Sequence, residues 1–251
     1  MGSYEAGVAA YKKNDFGAAR REWQDAAARG DLEANYQLGL MYANGVGGDR
    51  DYGLAIKHFM VAAERDHADS QYSLGVLHEF GFGTEENPAE AAYWYQKASE
   101  KGHAQAQCNL AGLYESGKGV TKDYVRAVEL YSKAAETGYS VAVFNLGVLV
   151  ENGTGLAADL DKAIRLYRAA ANAGLAAAQY NLGVLAAEGR GMPKDVKLAR
   201  SLFEKAAAQN HAVARENLRR MEENDAGAGK MPTAKTETAG LEAAPTAKKK
   251  H

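Results

Sequence analysis

The 251-residue sequence has a single cysteine, Cys108, which excludes a disulfide framework and a cysteine metal cluster and points to a reducing compartment. It also lacks a surplus of either charge. Lys and Arg number 30 against 32 Asp and Glu, so there is no basic footprint of the kind that nucleic acid or an anionic membrane attracts. No apolar run approaches the roughly 18 residues that a membrane span requires, and membrane insertion is not expected. The start, Met1-Gly2-Ser3-Tyr4-Glu5, has neither the basic segment nor the apolar stretch of a secretory signal. The expected location is therefore the cytoplasm, or the periplasm or exterior if a signal peptide has been removed.

What the sequence does have is a period. Leu38, Leu74, Leu110, Leu146 and Leu182 are 36 residues apart at every step, and so are Ala55, Ala91, Ala127, Ala163 and Ala199. A period of this length marks a stacked array, because one such unit cannot bury its apolar face alone.

Within a unit, Ala34, Leu38, Met41 and Tyr42 recur at three- and four-residue spacing and predict a first helix, A. Asp51 to Glu64 predicts a second helix, B, with Ala55, Ile56, Phe59, Ala62 and Ala63 on one face and Lys57 and Glu64 on the other. The series Phe59, Tyr95, Tyr131, Tyr167 and Phe203 fills the space between helices as core. Between A and B stand paired glycines, Gly45 and Gly47 in the first unit, suited to ending A in a left-handed residue and turning the chain. Asp51, Asn87, Asp123, Asp159 and Asp195 follow in register as expected caps of helix B.

The ends depart from the unit. Asp15, Ala19, Trp23, Ala26 and Ala27 stand 36 residues before their helix B counterparts, but the turn ahead of Asp15 is shorter than the turns that follow. At the other end Arg219 and Arg220 replace Gly183 and Val184, which predicts a polar capping helix ending near Glu223. The domain expectation is a repeat array over residues 1–224 and an Ala, Thr and Lys-rich tail over 225–251. That tail carries five lysines against three acids and is expected to be disordered, since it has too little apolar surface to offset its ordering entropy.

The unit Ala-x-x-x-Leu-Gly-x-x-Tyr-x-x-Gly-x-Gly, followed by Asp, an Ala four residues on, an aromatic and Ala-Ala, resembles the Sel-1-like repeat, a relative of the tetratricopeptide repeat. The resemblance covers roughly residues 31–221 in five full units. Gly7 to Gly30 looks like a tetratricopeptide hairpin. The third unit exchanges Ala111 and Gly112, and Val150 and Ala186 replace the aromatic of Tyr42 and Tyr114. The resemblance implies an all-α, right-handed α/α superhelical solenoid with no cofactor, acting as an adaptor or scaffold for a protein or peptide partner. It also admits a cell-envelope or secretion assembly factor. β-Lactam-directed activity is linked to cysteine-rich relatives, whose disulfides this sequence lacks.

By analogy with tetratricopeptide units, helix A lines a concave groove. That analogy places Tyr36, Tyr72, Cys108, Phe144 and Tyr180 in one row and Glu79, Glu115 and Glu151 in another. A neighbouring row holds Asn109, Asn145 and Asn181, whose amides suit either a bound peptide backbone or adjacent loops of the protein itself. Tyr4, Val8 and Tyr11 form an apolar face that could pair with a second copy.

Two motifs lead nowhere. Gly112 to Lys118 has phosphate-loop spacing, but Gly119 stands where a magnesium-binding hydroxyl is needed, and the segment follows a helix. His67, His103 and His211 share one phase of the repeat, and a helix-packing distance of about 8–10 Å separates such positions too far for a shared metal. They are expected at the start of helix A. No pair of side chains breaks the repeat pattern as a catalytic constellation would, so no enzymatic activity is expected.

Overall fold

Alternating apolar faces and glycine-bearing turns produce thirteen α-helices and no strand among the described residues of this computed structural model, which are residues 2–225. They form two compact units that divide after Lys122. The first holds α1 (Tyr4–Lys12), α2 (Phe16–Ala28), α3 (Leu32–Asn44), α4 (Tyr52–Ala63), α5 (Ala68–Phe80), α6 (Pro88–Glu100) and α7 (Ala104–Ser116). The second holds α8 (Tyr124–Glu136), α9 (Ser140–Asn152), α10 (Leu160–Asn172), α11 (Ala176–Glu188), α12 (Val196–Ala208) and α13 (Ala212–Asp225). Within each unit every helix packs on the next in sequence. The expected tail spans 225–251; Asp225 closes α13, and residues 226–251 lie outside the described residues.

The turn chemistry agrees with the reading of the sequence. All six helices that begin at the Asp15 phase are capped by a side chain: Asp15, Asp51, Asn87, Asp123, Asp159 and Asp195 each accept the backbone N–H three residues on, at 2.8–3.1 Å. Each bond satisfies a donor that a helix start leaves open. In the five full repeats helix A ends in a left-handed glycine, as at Gly81 with φ of 67°, where a Cβ would also lie 3.1 Å from the Glu86 backbone nitrogen.

One aromatic ring per repeat forms the centre of the core. Trp23, Phe59, Tyr95, Tyr131, Tyr167 and Phe203 are at most 2% exposed. Full burial of one such ring contributes about 1.5–3 kcal/mol. Except for Tyr131, whose counterpart position holds Ala111, the ring reaches its depth because the facing position of helix A has no side chain: a Cβ on Gly75 would fall 2.4 Å from the Tyr95 ring. Gly39 stands in the same way against Phe59, Gly183 against Phe203, and Gly7 against Trp23. The last pair shows that the opening hairpin keeps the packing of the repeat with a shorter turn.

At the far end, α13 turns charge outward. Glu216 bonds both Arg219 and Arg220, which hold its carboxyl down to about 2, and Arg219 also meets Glu223.

Candidate functional site

A histidine caps the start of α5 and of α7, whereas α9 and α11 start without a side-chain cap. His67 Nδ1 accepts the Ser70 N–H and His103 Nδ1 accepts the Ala106 N–H, each at 3.2 Å. A backbone N–H can only donate, so each imidazole carries its proton on Nε2. That proton points to an acid of the preceding repeat, Glu33 Oε1 at 3.0 Å for His67 and Asp69 Oδ1 at 3.1 Å for His103. The bond to His103 holds the Asp69 carboxyl below the usual aspartate range. His211 caps α13 by the same Nδ1 contact at 3.2 Å. The expected place for these histidines, the start of helix A, is where they stand, and they act there as caps.

Each cap orients an aromatic residue of the preceding helix A. Tyr36 packs against His67 at 5.1 Å between ring centres and against Phe59 at 5.9 Å. Tyr72 stacks on His103 at 4.6 Å and meets Tyr95 at 5.9 Å. Burial, with Asp69 and Glu33 nearby, pushes the Tyr36 hydroxyl up to about 12.

Tyr36 and Tyr72 are half-buried, whereas the remaining members of the expected row are enclosed. Tyr180, between Phe203 and His211, is 1% exposed; Phe144, against Tyr167, is 3% exposed; Cys108 is 2% exposed. Rings enclosed in this way pack the core.

The acid and amide rows are largely tied into the protein's own packing. Tyr95 donates its hydroxyl to Glu79 Oε2 at 2.6 Å and accepts Asn109 Nδ2 at 3.1 Å, with all three residues buried. Tyr167 donates to Glu151 Oε2 at 2.6 Å and also bonds Asn181. The amides at Asn109 and Asn181 thus bind helix A to a tyrosine of the preceding helix B. Asn145 is buried as well, and Glu115 and Glu151 are half-buried. Burial, the dominant cause, raises the Glu79 carboxyl, and the Tyr95 and Tyr167 hydroxyls are both pushed up by burial and by their carboxylate partners.

The tyrosines of this network were legible in the sequence only as core. The missed signal is a correlation. Glu79, Glu115 and Glu151 stand sixteen residues before Tyr95, Tyr131 and Tyr167, whereas Ala43 and Ala187 stand sixteen before Phe59 and Phe203. An acid occurs where the ring has a hydroxyl to give it.

Among the described residues no three His, Cys, Asp or Glu side chains converge as a metal site would, and no helix is long and apolar enough to cross a membrane.

Stacked helical hairpins with one deep aromatic per hairpin define an α-helical repeat protein. The Sel1 repeat model matches residues 32–67, 68–103, 104–139, 140–175 and 176–211. The chain belongs to the Sel1 repeat family. Among solved structures, a protective antigen of uropathogenic Escherichia coli with an SLR fold is 33% identical at a TM-score of 0.77, over 86% of this chain. This chain spans 46% of the length of that antigen's chain. A Sel1 repeat protein from Oxalobacter formigenes is 29% identical at a TM-score of 0.79, over 85% of this chain and 88% of its own. An immunity protein from Pseudomonas aeruginosa, 21% identical at a TM-score of 0.51 over 82% of this chain and 83% of its own, shares the fold. No curated protein sequence matches the chain.

Proposed function

We propose that the protein is a non-enzymatic adaptor that holds a segment of a protein partner along its helix A face. Tyr36, Tyr72, Glu79 and Glu115 are the contact residues, and Asn109 in the first unit and Phe144, Tyr180, Asn145, Asn181 and Glu151 in the second set the helices of their own units. The observation that carries this reading is the pair Tyr36 and Tyr72, each half-buried and fixed between a helix B ring and an imidazole. Rings ordered in advance lose little freedom on binding, and aromatic residues dominate protein contact energies. Family membership supports a protein partner.

The test places a photo-crosslinking residue at Tyr36, at Tyr72 and, as control, at Val125, which is 58% exposed. One discrete partner crosslinked from the two tyrosine positions and absent from Val125 supports the reading. Crosslinks from Val125 alone overturn it. Tyr180 is unsuited to this test because its replacement would open the core.

A second reading, an assembly factor of the cell envelope, draws on the likeness to the Escherichia coli protective antigen. Fractionation of the source cells tests it: export of the chain supports it, and retention in the cytoplasm rejects it.

A further inference from the structure

The two polar networks are chemically alike except at one atom. Glu151 Oε2 accepts the Tyr167 hydroxyl while Oε1 is held by the Arg190 guanidinium, thirty-nine residues on, which also lies 3.7 Å from Glu188. Glu79 Oε2 accepts the Tyr95 hydroxyl in the same way, but its Oε1 engages no hydrogen bond or ion pair among the described residues. Lys118 stands thirty-nine residues after Glu79, where Arg190 stands relative to Glu151. Its ammonium acts on Glu79 only through space, and the residue itself is exposed.

The surroundings of Glu79 favour an incoming cation. Glu79 is 8% exposed and sits in the last turn of α5, where the helix end carries partial negative charge. Glu86 adds a second carboxylate to the local field. Phe80 and Phe82, half-buried with ring centres 5.9 Å apart, directly follow. Residues 2–122 carry 12 basic against 17 acidic side chains, and residues 123–225 carry 13 against 13. A planar guanidinium forks onto a carboxylate and stacks on aromatic rings, which an ammonium does less well.

We propose that Glu79 is the receptor for an arginine of the partner segment, bound through Oε1 as Arg190 is bound by Glu151, with Phe80 and Phe82 beside apolar neighbours of that arginine. This rests on the adaptor reading and names the chemistry of its partner. In effect the Arg190 contact is an internal copy of the complex.

The probe is a fluorescent heptapeptide with one arginine flanked by leucines, titrated beside its citrulline twin, which has the same shape and no charge. Wild type should bind the arginine peptide about tenfold more tightly, the scale of a charge-assisted hydrogen bond. In Glu79→Gln, which keeps an acceptor for Tyr95, that ratio should fall to about one. In Glu151→Gln it should persist, and Lys118→Ala should strengthen arginine binding by removing a nearby cation. Equal binding of both peptides by wild type, no saturable binding, or an unchanged ratio in Glu79→Gln would overturn the proposal. Crosslinking from Tyr36 and Tyr72 is unaffected by those outcomes, so the arginine site can fail while the adaptor reading stands.

Discussion

The Tyr95 hydroxyl lies 2.6 Å from Glu79 Oε2 across two helices of one repeat, and the Tyr167 hydroxyl stands at the same 2.6 Å from Glu151 Oε2. A buried carboxylate needs donors, and here the ring that fills the core supplies one from its far edge. Ala43 and Ala187 remove that need at the repeats where the ring is phenylalanine. Acid and hydroxyl therefore appear together or not at all, an economy consistent with the loss that follows when one partner of a buried pair is missing.

Tyr95→Phe should accordingly lower unfolding free energy by about 1–3 kcal/mol, because it leaves Glu79 with a buried oxygen and no donor. The double change Glu79→Ala with Tyr95→Phe rebuilds the Ala43 and Phe59 arrangement. It should cost clearly less than the two single changes added. Urea unfolding of all four proteins measures the coupling, and strict additivity would show that the pair is incidental.

Acidity should act on Glu79 and Asp69 in opposite directions. Burial raises the folded Glu79 carboxyl above its ordinary value, so folding is favoured by its protonated form; that contribution is full below the unfolded value and is lost as pH rises through the folded one. Asp69 is lowered by its bond to His103, so its contribution is present above the unfolded value and is lost as pH falls through the lowered one. Carboxyl carbon titration by NMR should find Glu79 titrating above free glutamate and Asp69 below free aspartate. Relative to wild type, Glu79→Gln should gain stability as pH rises from 4 toward 7, an order set by ordinary carboxyl values of about 4.

The helices, their caps and the deep ring were legible because each depends on residues a few positions apart within one repeat. Asp51 caps α4 from the adjacent position, and Leu38 and Met41 share a face by spacing alone. What was not legible is depth. Tyr72 and Tyr180 occupy one phase, yet one is half-buried and the other 1% exposed, because enclosure depends on the neighbouring side chains rather than on the phase. Asn109 was open to two readings for the same reason: its partner, the Tyr95 hydroxyl, belongs to the preceding repeat.

One substitution should have opposite effects at two glycines. Gly75→Ala drives a methyl to 2.4 Å from the Tyr95 ring and should cost about 1–3 kcal/mol by overpacking. Gly17→Ala, in the first turn of α2 with no neighbour nearer than 3.7 Å, should stabilise by about 0.4–1 kcal/mol through reduced freedom of the unfolded chain. Thermal melts of the two variants against wild type decide the matter, and equal shifts would refute this account of Gly75.

His103 joins two jobs that substitution can separate. Its Nδ1 caps α7 through Ala106, and its Nε2 holds Asp69 of the preceding repeat. Asp31 performs the first job for α3 with its carboxylate at 2.9 Å, which shows that a short acceptor suffices at this phase. His103→Asn should therefore keep the cap while losing Asp69, and the exposed half of that contact makes the loss small. His103→Ala loses both and should cost about 1 kcal/mol more than the asparagine variant, the usual worth of a cap. Both variants should return the Asp69 carboxyl toward its ordinary value, since the bond that lowers it is gone in each. If asparagine and alanine destabilise equally, the capping contact contributes nothing and His103 serves only as the stacking partner of Tyr72.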